Sequence, residues 1–280
     1  MSPLPDVPLP DVDAVGDAIR EVAATEIMPR FGRLDDTEIW KKPAGGTVTA
    51  ADTASEKRLG GALAGLLPGS VIVGEEGAEA DPAVFARLAG ADPVWIVDPL
   101  DGTTNFAAAR QPFTIIVALA IAGEIRAGWI FDPMADVMVT ATLGGGAWIN
   151  GAAVTLAAPA AAAAMNGSLG GRLRRIDAVR ESFATLSNAG CCGFEYLALA
   201  SGDMHFAHYR RLKPWDHAAG LLIQREAGGT AAFLDGGDYD PAHPAPPVPG
   251  ILENGGLLIA PDEGSWSEVA AILRPAVASL

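Results

Sequence analysis

At 280 residues, half of them hydrophobic, the chain can bury a substantial core, as one large domain or as two closely packed lobes. A formal net charge of −15 argues against a nucleic-acid backbone as the main partner, because such binding draws on clustered Lys and Arg. Apolar runs are broken by Gly, Pro or charge well before the ~20 residues that a bilayer span needs, and Met1 to Val12 is rich in Pro and Asp, so neither a membrane anchor nor a secretory leader is expected.

In chain order, Met1 to Pro10 carries four prolines and reads as a mobile tail. Val12, Val15, Ile19, Val22, Ala23 and Ile27 then recur at helical spacing and predict an amphipathic helix ending near Pro29. A second helix is expected over Thr53 to Leu67, closed by Pro68-Gly69. Val71-Ile72-Val73 reads as a short buried strand that delivers Gly74-Glu75-Glu76 to its end, and Val94-Trp95-Ile96-Val97 as another that delivers Asp98-Pro99-Leu100-Asp101-Gly102-Thr103-Thr104. From Phe113 to Asn150 the pattern becomes an antiparallel meander, with strands at Thr114–Ile121, Ile125–Phe131 and Val137–Thr142. The alanine-rich stretch Ala157 to Ala164 is a connector or helix, dividing a lobe over 11–156 from one over 157–280. Beyond it, strands near Gly167–Leu169, Met204–His208, Thr230–Leu234 and Leu257–Ala260 alternate with helices over Ile176–Leu186, Phe194–Ala200, Trp215–Ala227 and Trp266–Leu273, with a proline-rich loop from Pro241 to Pro249. The expected class is therefore α+β or α/β.

The Asp98 to Thr104 stretch carries the chemistry. Two carboxylates three residues apart, placed where a buried strand ends, repel one another unless something cationic lies between them. Oxygen ligands without a companion Cys or His cluster favour magnesium or manganese. Gly102 permits a sharp bend, and the amides of Gly102, Thr103 and Thr104 open a short helix whose N-terminus faces an anion. Taken alone, such a string is also an ordinary surface turn. The bulky apolar run before it and further acidic stations at Asp52, Glu75-Glu76 and Asp216 weigh against that reading, although Asp52 and Asp216 also suit simple helix N-caps. Cys191 and Cys192, the only cysteines, are adjacent; a disulfide between them would be strained, and a reducing cytoplasm fits the pair best.

Three segments, Gly74-Glu75-Glu76, Trp95 through Phe106, and Trp215-Asp216-His217-Ala218-Ala219-Gly220, resemble those of the inositol monophosphatase family. The resemblance runs in order from about Ala14 to about Ala260, including Lys41 followed by Thr47 to Asp52, and Arg225 to Gly229. It implies a layered α-β-α-β-α sandwich, paired as a homodimer, that hydrolyses phosphate monoesters with Mg2+, with Mn2+ as a substitute and Li+ as an inhibitor. Carried over by position, Glu75, Asp98 and the Leu100 carbonyl hold a first metal; Asp98, Asp101 and Asp216 hold a second; Glu76 binds a third, weaker ion. Asp52 and Thr103 activate the attacking water, and the Gly102 and Thr103 amides, with Thr104, receive the phosphate.

The substrate wall departs from the family pattern. Where inositol-preferring members carry Glu, this chain has Tyr209; a Gly-Ser-Ala-Ala-like segment is replaced by Gly190-Cys191-Cys192-Gly193 followed by Phe194-Glu195; the usual Asp before Val-Thr is Gly46. With Lys41, the residues Cys191, Cys192, Glu195, Tyr209 and Arg211 are the candidate substrate pocket. Loss of a hydroxyl acceptor lowers discrimination for inositol. Arg210, Arg211 and Lys213 either favour a second anionic group on the substrate or lie on a dimer surface. Candidate substrates are inositol phosphates, sugar phosphates, histidinol phosphate and bisphosphorylated nucleotides. The alternative is an idle homologue that binds phosphorylated ligands or a protein partner.

Overall fold

The computed structural model describes residues 7–42, 45–243 and 255–280. Most of the expected N-terminal tail and of the proline-rich loop from Pro241 to Pro249 lies outside them.

The helices are α1 (Val12–Val22), α2 (Ala50–Leu66), α3 (Glu75–Ala80), α4 (Thr103–Ala107), α5 (Asp177–Arg180), α6 (Cys192–Ser201), α7 (Pro214–Glu226) and α8 (Glu263–Ala278). The strands are β1 (Ile39–Lys41), β2 (Thr47–Thr49), β3 (Val71–Gly74), β4 (Val94–Asp101), β5 (Thr114–Ile121), β6 (Glu124–Asp132) and β7 (Val137–Thr142), then β8 (Gly146–Ile149), β9 (Ala152–Val154), β10 (Asn166–Ser168), β11 (Thr185–Ser187), β12 (Phe206–Tyr209), β13 (Thr230–Phe233) and β14 (Leu257–Ala260). They form a β1-β2 hairpin, a seven-stranded sheet ordered β3 to β9, and a five-stranded sheet ordered β11-β10-β12-β14-β13. In the larger sheet only the β3-β4 pair is parallel; from β4 onward it is the expected meander, extended by β8 and β9.

The continuous apolar runs of β4 and β5 follow from burial on both faces. Trp95 and Val97, with Ile115, Val117 and Leu119, pack on one face with Val15, Ile19, Leu59 and Leu63 of α1 and α2. Val94 and Ile96, with Ile116, Ala118 and Ala120, pack on the other with Tyr196 and Leu199 of α6 and Ala218, Ala219 and Leu222 of α7. Ala207, Leu257 and Ile259 of the smaller sheet join that same central core, so α6 and α7 lie between the two sheets. Leu258 and Ala260 pack outward with Val269, Ala270 and Leu273 of α8. The result is the expected α-β-α-β-α order. The segments 11–156 and 157–280 meet in the central cluster, and each also buries a cluster of its own, around α1 and α2 in the first and around α8 in the second.

Close layer spacing is written into small residues. A Cβ on Gly128 would come 2.8 Å from Ala219 Cα, and one on Gly220 would enter the Tyr196 ring. One expectation fails: in place of a helix over 176–186 there is a 3₁₀ turn (Leu173–Arg175), the four-residue α5, and then β11. The apolar positions Ile176, Val179, Phe183 and Leu186 match helical spacing, but β11 finds a parallel partner in β10, with Thr185 opposite Asn166. Sheet pairing overrides the local period. Ala157 to Ala164 is a connector with one 3₁₀ turn at Ala162–Ala164.

Candidate active site

β4 ends in an irregularity that aims its carboxylates. Its register against β5 shifts between Asp98 and Asp101, where Pro99 cannot donate a ladder hydrogen bond. Asp98 Oδ1 accepts from the Leu100 amide at 3.0 Å, which fixes its rotamer inside the kink. Gly102 then turns the chain at φ 86°, ψ 24°, a left-handed conformation, and a Cβ there would lie 2.8 Å from Pro112 O. The turn starts α4, where the Asn105 amide already bonds the Gly102 carbonyl at 2.8 Å and the amides of Thr103 and Thr104 lead the helix.

Asp52 reaches the same place from α2. Thr49 is the N-cap and Asp52 sits at the third helical position, closing a capping box in which Asp52 Oδ2 accepts from Thr49 N at 2.8 Å and Thr49 Oγ1 at 2.6 Å. Its other oxygen faces Thr103: Thr103 Oγ1 lies 2.9 Å from both Asp52 Oδ1 and the Leu100 carbonyl, and its single proton serves one of them at a time. Burial pushes the Asp52 carboxyl up to about 6, against the opposing hydrogen bonds from Thr49 and Thr103.

Asp101 and Asp216 complete the acidic wall. Asp101 Oδ2 accepts from Gly193 N at 2.6 Å and lies 3.1 Å from Cys191 Sγ, while burial pushes its carboxyl up to about 6. Gly193 is required there, since a Cβ would stand 2.2 Å from Thr114 Oγ1. Asp216 lies in the first turn of α7, its proton affinity raised well above the ordinary carboxylate value by burial and then by Asp101 and Glu75. Asp98 is raised likewise, by burial and then by the charges of Glu75, Asp101, Asp216 and Asp52. Five carboxylates from α2, α3, β4 and α7 therefore feel one another across one small region.

Glu75 and Glu76 open α3, with carboxylates turned onto a lysine: Lys42 Nζ lies 2.8 Å from Glu75 Oε1, 2.8 Å from Glu76 Oε1 and 3.4 Å from Glu79 Oε2. Burial alone would push the Lys42 ammonium down, but Glu75 and Glu76 hold it above its ordinary value. Burial takes the Glu76 carboxyl up to about 7, with Lys42 opposing. Among the described residues, no three His, Cys, Asp or Glu side chains are drawn into a ready-made ligating cluster. The donor set nonetheless suits hard divalent cations, being all oxygen, strongly acidic and mutually repelling.

A cavity of about 330 Å3 adjoins this wall and is lined by Asp101 and Asp216 together with Cys191, Cys192, Tyr209 and Arg211. Glu195 also borders it, but its Oε1 already accepts from Ser168 Oγ at 2.6 Å and from Ala189 N at 3.0 Å, tying β10 to the loop before α6. Lys41 is not part of the cavity: its Nζ bonds Thr47 Oγ1 at 2.8 Å across the hairpin, and the neighbouring Lys42 is the lysine that meets the acids. Lys42 follows the last residue of β1, so neighbouring lysines meet different partners. Thr104 sits at the second position of α4, exposed.

Sequence reasoning also passed over Glu56. Its two oxygens accept from the amides of Glu76 and Gly77, each at 2.9 Å, and so dock α3 onto α2. The signal was present: Glu56 follows Asp52 by four residues, on the same helical face.

The model of the inositol monophosphatase family matches residues 11–278. An inositol-1-monophosphatase of Rhizobium meliloti is 33% identical over 219 residues, covering 74% of this chain and 79% of that protein. A protein of Pasteurella multocida named Nus factor SuhB is 30% identical over 227 residues, covering 77% and 82%. In fold, the chain is similar to an IMPase of Thermotoga maritima, at a TM-score of 0.79 and 23% identity over 96% of this chain and 99% of that one.

Proposed function

The chain belongs to the inositol monophosphatase family of phosphatases, and from that premise we propose that it hydrolyses a small phosphate monoester with Mg2+, in line and without a covalent intermediate. The observation that carries the proposal is the mutual charge of Asp98, Glu75, Asp101, Asp216 and Asp52 within one buried region. Lys42 pairs with Glu75 alone among these five, and the other four, with no ion pair among the described residues, have hard cations as their natural complement.

In this reading Glu75, Asp98 and the Leu100 carbonyl hold one ion, Asp98, Asp101 and Asp216 a second, and Glu76 a third and weaker one. When bound, the cations supply positive charge against the oxygens on which charge builds during phosphoryl transfer. The remaining work falls to the chain. Thr103 gives its proton to Asp52 and keeps its lone pairs free to accept a hydrogen from the attacking water, orienting it for attack. The amides at the start of α4 receive the phosphate oxygens. Neither cysteine is needed as a nucleophile: burial, followed by the nearby carboxylates, raises both thiols well above their ordinary value.

Inositol phosphates, sugar phosphates, histidinol phosphate and bisphosphorylated nucleotides remain the substrate candidates, for a homodimer acting in the cytoplasm on small phosphorylated metabolites. Relatives named Nus factor SuhB favour a second reading, a regulator that binds phosphorylated ligands or a protein partner. The retained Asp52–Thr103 contact favours chemistry, because binding alone has no use for a water-activating pair. The test is phosphate release from these esters by the purified chain with and without Mg2+. Release from at least one, abolished by EDTA, is expected; none from any, in folded protein at millimolar Mg2+, refutes the enzymatic reading.

A further inference from the structure

We propose that Lys42 stands in for the third cation: its ammonium holds the carboxylates that ion would use, so the resting site takes two divalent ions and a third enters only by displacing Lys42. The inference goes beyond the phosphatase reading and rests on its premise that these acids bind metal.

Glu79 follows Glu75 by four residues and Glu76 by three in α3, so its carboxylate lies on the same helical face as theirs. One ammonium meets all three: Lys42 Nζ lies 2.8 Å from Glu75 Oε1, 2.8 Å from Glu76 Oε1 and 3.4 Å from Glu79 Oε2. Three acceptors match the three protons an ammonium can donate. Only 5% of the Lys42 side chain is exposed, a burial that lysine tolerates when it is paired. Its backbone is tied into the connection between β1 and β2, where the Lys42 amide donates to the Gly46 carbonyl at 3.3 Å and its own carbonyl accepts from the Gly45 amide at 3.0 Å. The fold therefore delivers this positive charge itself. A tethered cation binds intramolecularly, at a high effective concentration, and no free ion has to be captured.

The glutamates are held to meet it. Glu56 accepts from the amides of Glu76 and Gly77, each at 2.9 Å, and so fixes the start of α3 against α2 beside the lysine. A divalent ion bound through Glu76 would stand against the Lys42 ammonium in a partly buried setting, where like charges repel with little water to screen them. The other two ions are spared that conflict. Glu75 meets Lys42 through Oε1 and keeps its second oxygen for the first ion, while Asp98, Asp101 and Asp216 form no ion pair with Lys42. Competition thus falls on the third ion alone.

The test counts Mn2+ bound to the purified chain, without substrate, from the loss of the free-ion electron paramagnetic resonance signal. Wild type is expected to bind two ions, with a third at least ~10-fold weaker than the second. In K42M the third ion is expected to bind ~10–100-fold more tightly than in wild type, because a site open in only ~1–10% of molecules loses affinity by that factor. The first two affinities change by less than ~3-fold, which separates displacement from the general field of a lost charge, since that field acts on all three ions. K42R keeps the cation and is expected to bind as wild type does; K42Q replaces K42M if K42M does not fold. A third ion as tight as the second in wild type overturns the inference whatever the variants do. So does a third affinity unchanged in folded K42M or K42Q, or one that moves no more than the first two. Fewer than two ions on wild type at millimolar Mn2+ sinks the metal-site premise itself.

Discussion

Asp98→Asn is the sharpest perturbation, because it removes charge while sparing shape. Asp98 is 2% exposed, and its carboxylate sits among Glu75, Asp101, Asp216 and Asp52. The asparagine carbonyl keeps the one internal bond, from the Leu100 amide at 3.0 Å. A carboxyl whose proton affinity is raised on folding opposes folding at every pH above its unfolded value of about 4, and the penalty grows as pH rises toward the folded value. In EDTA, D98N is therefore expected to be more stable than wild type by on the order of 1–3 kcal/mol at pH 8, with a smaller gain at pH 5. For a domain of this size that is a melting shift of roughly 2–8 °C. With Mg2+ at about 100 times its dissociation constant the wild type gains about 2.7 kcal/mol from binding, and D98N is expected to lose most of that gain. Phosphate release in the mutant falls by at least ~10³-fold, the scale of removing a group that positions transition-state charge. Differential scanning fluorimetry at both pH values, with EDTA and with Mg2+, read beside a phosphate-release assay, checks all three arms. A mutant that melts below wild type in EDTA, keeps its Mg2+ shift and turns over normally refutes the reasoning.

Thr103→Val deletes the hydroxyl 2.9 Å from Asp52 Oδ1 without changing side-chain volume much; kcat is expected to fall ~10²–10³-fold with KM within ~3-fold, since the group acts on the attacking water and not on the bound ester. Gly193→Ala places a Cβ 2.2 Å from Thr114 Oγ1 and so displaces the amide that holds Asp101; a loss of ~1–3 kcal/mol in urea unfolding with weaker Mg2+ activation is expected, and a neutral result would show that the amide is dispensable. Glu56→Gln leaves one of the Glu76 and Gly77 amides facing an NH2 group, at ~1–3 kcal/mol, read as earlier hydrogen exchange in α3 than in α2. Burial, with Arg210 adding to it, takes the His208 imidazole down to about 4, while its Nε2 lies 2.8 Å from the Gly255 carbonyl. A histidine lowered on folding is neutral in the native state where the unfolded chain already binds a proton, so its contribution is lost as pH falls from about 6.5 to about 4, roughly 3 kcal/mol over that window. NMR titration of the His208 ring checks this; a midpoint near 6.5 in the folded protein defeats it.

Much of the fold was legible because burial on two faces leaves continuous apolar runs. Val94-Trp95-Ile96-Val97 and Thr114 to Ile121 read as buried strands, and both split their side chains between the α1/α2 layer and the α6/α7 layer. What sequence could not rank was competition between a local period and a distant partner. Ile176, Val179, Phe183 and Leu186 satisfy a helical stripe, yet Thr185–Ser187 gains more from a ladder with Asn166–Ser168. The acidic stations were visible because strand ends and helix starts advertise themselves through Gly, Pro and capping residues. Lys42 and Glu56 were not, because nothing local distinguishes Lys42 from Lys41, or Glu56 from any solvated helix glutamate. Their roles exist only once α3 lies across α2 and the β1-β2 hairpin.

The same contrast explains why the chemistry is easier to read than the substrate. Four carboxylates of the site are placed by backbone groups: Asp98 by the Leu100 amide, the water-activating Asp52 by the Thr49 capping box, Asp216 by the first turn of α7, and Asp101 by the amide of Gly193. Three of those constraints are local, so motif and function travel together. The cavity wall is assembled instead from the start of α6 and the segment joining β12 to α7, elements that meet only in the folded chain. Cys191 and Cys192 fill space beside Asp101 and Asp216 with poor hydrogen-bonding groups, which removes polar competition from the acidic wall. The proposed chemistry is thus written close to its own residues, while the wall of the adjoining cavity is assembled from elements distant in sequence.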